Sequence, residues 1–123
     1  MARLEAVLAA IDAANAADPQ AEADGRPAAL AYGERMSAEL ARLCPEASEN
    51  LRIAARGQHV ERWKLPREAY PDDRAGYLAW RAEQGRRHAA RVEGLMAEAG
   101  FVRTRRLDDA FYQPVLVGTR PVV

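Results

Sequence analysis

A single cysteine, Cys44, leaves no internal disulfide framework and fits a reducing, cytoplasmic setting. It stands just before Pro45 at the end of a predicted helix, with no His close in sequence. It therefore reads as a small, half-buried residue rather than a thiol nucleophile. No apolar run approaches the roughly 20 residues of a membrane span, so no membrane partner is expected. The opening MARLEAVLAAIDAAN carries Glu5 and Asp12 inside an amphipathic pattern, unlike a signal peptide. A Gly-rich phosphate loop, a G-x-S-x-G elbow and a kinase signature are also missing. So are the His-x-x-x-His and Cys-x-x-Cys spacings of strong metal motifs.

What the 123 residues do contain favours helix. Apolar content is high but carried largely by Ala, with Leu, Arg and Glu next. Leu4, Val7, Leu8 and Ile11 recur at helical spacing and predict a first helix over 3–16, closed by Asp18-Pro19. A polar loop, PQAEADGRP, leads to a second helix with Pro27 in its first turn and Leu30, Gly33, Met36, Leu40 and Leu43 as its stripe. Ser48 is a candidate N-cap for a third helix reaching Trp63. A loop with two prolines, KLPREAYPDD, then precedes a long fourth helix from Arg74 to Ala99, capped by Asp72 or Asp73 and ended by Gly100. Its inward seam reads Leu78, Arg81, Gly85, His88, Val92, Leu95.

The expected fold is all-α: an antiparallel bundle of about four helices over residues 1–101, with an irregular or extended tail over 102–123. Within that tail only PVLVG looks strand-like.

Net charge is zero, but it is unevenly placed. Residues 1–51 hold four basic against nine acidic side chains, residues 52–91 ten against five, and the remainder four of each. The excess positive charge coincides with RIAARGQHVERWKLPREAYPDDRAGYLAWR, where His59, Trp63, Tyr70, Tyr77 and Trp80 are crowded among arginines. Such a field attracts anions.

His59 and His88, placed on neighbouring helices, are candidates for acid–base work or for holding a divalent metal ion. A metal would need a carboxylate from elsewhere, with Glu61, Glu83, Asp108 and Asp109 as candidates. Asp109 completes the expected set. Arg52, Arg56, Arg62, Arg67, Arg74 and Arg81, with Gln58, are candidates for binding a phosphate or carboxylate, because the guanidinium fork matches such groups. Trp63, Tyr70, Tyr77 and Trp80 are candidates for lining the pocket. The competing structural reading pairs the arginines internally and uses the aromatics to pin the proline loop. Gly57 and Gly85 read as points of close helix approach.

AIDAANAADP, the YGERM of the second helix and above all the 52–81 block resemble the bacterial and fungal proteins grouped as domain of unknown function 4202, over roughly residues 4 to 101. The resemblance implies an all-helical fold and no established activity. The residues that carry it are Gln58, His59, Arg62, Trp63, Pro66, Arg67, Tyr70, Pro71, Arg74, Gly76, Tyr77, Trp80, Arg81 and His88. It also implies further helices after AEAGF, where this chain has LDDAFYQP and then stops, so the C-terminus reads as truncated or divergent. Separated histidines with a later acid resemble HD-type metal phosphohydrolases by fold analogy alone. The HD pair itself is absent, since Val60 follows His59 and Ala89 follows His88.

The expected function is a small metal-assisted hydrolase-like domain for a phosphorylated or otherwise anionic small molecule, with His59 and His88 as the reactive pair. The alternative is a non-catalytic module holding an acidic protein or RNA on a basic aromatic surface. A third reading pairs every charge internally and assigns no function to the chain alone.

Overall fold

The computed structural model describes residues 2–107 and 115–119. Its body is helical: α1 (Ala2–Asn15), α2 (Ala28–Leu43), α3 (Glu49–Arg56) and α4 (Arg74–Glu98), with single 3-10 turns at Arg62–Lys64 and Arg67–Ala69. The expected helical bundle with its long fourth helix is what the chain forms.

Local chemistry explains most boundaries. Ser48 Oγ accepts from Leu51 N at 3.1 Å, satisfying one of the free amides at the start of α3. Asp73 Oδ1 accepts from Gly76 N at 2.6 Å and opens α4 in the same way. Gly100, at φ +98, turns the chain out of α4 in a conformation other residues disfavour. Pro27 sits immediately before α2, and the cap is supplied from a distance: Asp18 Oδ2 accepts from Ala29 N at 2.9 Å.

The core is one apolar cluster. Leu4, Val7 and Ile11 of α1 share it with Ile53, Val60, Val92, Leu95, Met96 and Phe101. Gly57 makes this packing possible, since a Cβ there would lie 2.6 Å from Val92 Cγ2. That bears out the close approach expected of it.

Four expectations need correction. The third helix stops at Arg56, and residues 57–61 form turns, so His59 is not helical. Glu61 then takes the left-handed conformation at φ +53 and redirects the chain into the turn that holds Arg62. On α2 the small face is buried (Ala29, Ala31, Gly33), while Leu43, assigned to the inward stripe, is 68% exposed. The inward side of α4's first half is Gly76, Trp80 and Gln84 rather than Leu78 and Arg81, because the 62–71 segment packs there. After Phe101, β1 (Val102–Leu107) pairs antiparallel with β2 (Val115–Thr119), with Arg106 opposite Leu116 and Leu107 opposite Val115. The strand-like stretch was legible; its partner was not.

Candidate functional site

Residues 58–62 and α4 from Tyr77 to His88 enclose a polar cavity of about 240 Å³ lined by Gln58, His59, Arg62, Tyr77, Trp80, Arg81, Gln84 and His88. Its wall is built from hydrogen bonds to the 62–65 turn. Trp80 Nε1 donates to Leu65 O at 2.9 Å, and Gln84 Nε2 donates to both Arg62 O and Leu65 O at 2.9 Å. These bonds satisfy Leu65 O twice and add a second donor to Arg62 O, which also accepts from Leu65 N. The guanidinium of Arg62 lies over the Trp80 ring, 4.9 Å from its centroid.

The histidines sit at the back. His59 stacks on Tyr32 of α2, ring centroids 4.0 Å apart, and lies 6.1 Å from the His88 ring. His88 is buried and hydrogen-bonds to the Gln58 backbone. Its Nε2 is buried with no hydrogen-bond partner among the described residues. A neutral ring donating from Nδ1 to the carbonyl leaves an acceptor lone pair at Nε2. Both imidazoles are pushed down to about 4, first by burial and then by the positive charge of Arg62. At neutral pH they are uncharged.

Charge matching separates the arginines. Arg56 makes a bidentate pair with Asp12 at 2.7 Å on both arms, so it is structural. Arg52 donates to the carbonyls of Ala47 and Pro45, closing the α2–α3 connection. Arg67 donates to the carbonyls of Tyr70, Pro71 and Asp73 and holds the proline loop. Arg74 is exposed at the start of α4 and does not line the cavity. Arg62 and Arg81 are different. No ion pair is made by either among the described residues, and no acidic side chain lines their cavity. Among the described residues, Arg81 reaches only the Tyr77 hydroxyl, at 3.2 Å.

The structure thus brings Gln58, His59, Arg62, Tyr77, Trp80, Arg81 and His88 together and leaves Arg52, Arg56, Tyr70 and Arg74 outside. Trp63 and Arg67 line an adjoining depression of about 430 Å³. Sequence reading missed Gln84 and Tyr32. Gln84 lies four residues before His88, spacing that placed it on the same face of the helix; Tyr32's stacking on His59 left no local trace.

Of the proposed metal carboxylates, Glu61 binds Lys64 and Arg91, and Glu83 binds Arg86 and Arg87. Asp108 and Asp109 lie outside the described residues. Among the described residues no group of three His, Cys, Asp or Glu side chains gathers as a metal site. A cation would also face Arg62 and Arg81.

A larger depression of about 460 Å³ runs between α2, α3 and α4, lined mainly by apolar side chains such as Met36, Leu40, Leu51 and Val92. Its rim offers little for chemistry beyond Gln58 and His88. Among the described residues no helix is long and apolar enough to cross a membrane.

Comparison with known proteins adds a family and no activity. The sequence profile described as Domain of unknown function (DUF4202) matches residues 5–109, and the chain belongs to that family. No curated protein and no solved structure matches the chain.

Proposed function

We propose that the cavity between the 58–62 turn and α4 binds a small anion, most simply a phosphate group. The observation that carries this is the pair Arg62 and Arg81, facing a polar cavity whose lining holds no acidic residue among the described residues. Two guanidinium groups that share a cavity wall without a carboxylate create a positive field there, and their planar donor forks match a phosphate. Neutral His59 and His88 beside it can accept or relay a proton, which makes hydrolysis of a phosphorylated small molecule the chemistry to screen first. The size and concavity of the cavity favour a small molecule over RNA or an acidic protein surface. Among the described residues His59 and His88 gain no carboxylate to complete a metal site, and the nearby guanidinium groups oppose a cation, which favours a metal-free anion site.

Calorimetric titration with inorganic phosphate tests the assignment. Arg62→Gln is expected to weaken binding by about tenfold or more, while Arg52→Gln, outside the cavity, leaves it unchanged. A wild-type protein that shows no saturable response to millimolar phosphate at low salt would end this reading.

A further inference from the structure

The polar cavity does not end at Arg62. It adjoins the 430 Å³ depression, and the two share His59, Arg62, Trp80 and Gln84 in their walls. The compartments differ in charge. The smaller has Arg62 and Arg81 with no acid, whereas the larger sets Asp18, Glu22 and Glu68 against Arg35, Arg62 and Arg67. Most of those charges are already used. Glu22 pairs with Arg35, Asp18 accepts from two backbone amides, and Arg67 donates to carbonyls. With Arg62 given to the anion, the larger compartment keeps three acids against Arg35 and Arg67, which disfavours a second anion and suits a neutral group.

It also holds an available aromatic surface. Tyr32 is stacked on His59, Trp80 carries Arg62, and Tyr77 meets both Trp80 and Arg67. Trp63 lines the larger compartment beside Pro66 and makes no such ring contact among the described residues. It is half-buried, so part of its surface remains open.

We infer that the ligand is bipartite: a phosphomonoester whose charged end sits at Arg62 and Arg81 and whose flat, neutral ring stacks on Trp63, as a nucleoside monophosphate would. This rests on the anion-binding reading and adds the class of the organic part. The charge difference between the compartments fixes the orientation. Stacking on Trp63 supplies affinity that phosphate alone lacks.

The test uses the full chain and four probes: inorganic phosphate, ribose 5-phosphate, adenosine 5′-monophosphate and adenosine. The monophosphate is expected to bind about tenfold or more tightly than inorganic phosphate, with ribose 5-phosphate close to phosphate and adenosine weak. Trp63→Ala should remove the excess and leave phosphate affinity in place. If that variant does not unfold cooperatively, Trp63→Leu keeps apolar bulk, removes the flat face and reads the same way. Equal affinities for phosphate and the monophosphate, or an excess that survives loss of Trp63, overturn the bipartite ligand and spare the anion site. An excess matched by ribose 5-phosphate overturns the stacking role. Failure of both phosphate and the monophosphate to bind overturns both readings.

Discussion

Toward the C-terminal end of α4, Val92, Leu95 and Met96 join Leu4, Val7, Ile11 and Ile53 in a cluster made only of apolar side chains, whereas the N-terminal part, through His88, sets Trp80, Gln84 and His88 against the backbone of residues 58–65. The first half gains from burial, which is non-directional and grows with the area removed from water. The second half gains less from area and more from geometry: its donors fix where the 62–65 carbonyls lie, and with them where Arg62 stands. One helix thus serves as ballast at one end and as a jig at the other.

The largest effect is expected in the apolar half. Ile53, 1% exposed, should lose about 2–5 kcal/mol on Ile53→Ala, read by denaturant unfolding. A loss well under that would mean the cluster collapses around the gap and is less rigid than the packing implies. The polar half should respond less. Gln84→Leu keeps bulk but removes the donor shared by Arg62 O and Leu65 O, and about 1–3 kcal/mol is expected. A neutral or stabilising result would erase the distinction between the halves.

Acidification should give the smallest change, and only the polar half should feel it. His59 and His88 are held at about 4 in the folded chain, against 6.5 for the free side chain. Between those values the unfolded chain binds more protons, so stability falls as pH is lowered through that window. A drop in Tm of a few degrees between pH 7 and 6 is expected. It should shrink in the double variant His59→Gln, His88→Gln, and a slope unchanged there would place its origin in other groups.

The sequence made the helices legible because their boundaries are chemically local. Ser48, Asp73, Gly100 and the prolines act on backbone groups within a few residues of themselves. The end of α3 was hidden, because RIAARGQHVERW keeps a helical pattern beyond Arg56. What stops it is the contact of Gly57 with Val92 and the left-handed turn at Glu61. The same distinction governs the site. The segment with excess positive charge was visible, but which arginines were already matched was not. Asp12 lies 44 residues from Arg56, and no local pattern joins them. Trp80 was seen as a wall residue, while the hydrogen bonds that orient it depend on the fold of the loop.

Gly76 has a meaning for how this sequence can vary. A Cβ built there would fall 2.0 Å from the carbonyl oxygen of Pro71 and 3.0 Å from the capping oxygen of Asp73, so every side chain collides with main chain. In a saturation library across the loop, surface positions such as Asp72 should accept many letters while position 76 keeps one. Any route by which this scaffold acquires a new ligand has to pass around that fixed point, through the walls of the cavity and not through the capped first turn of α4.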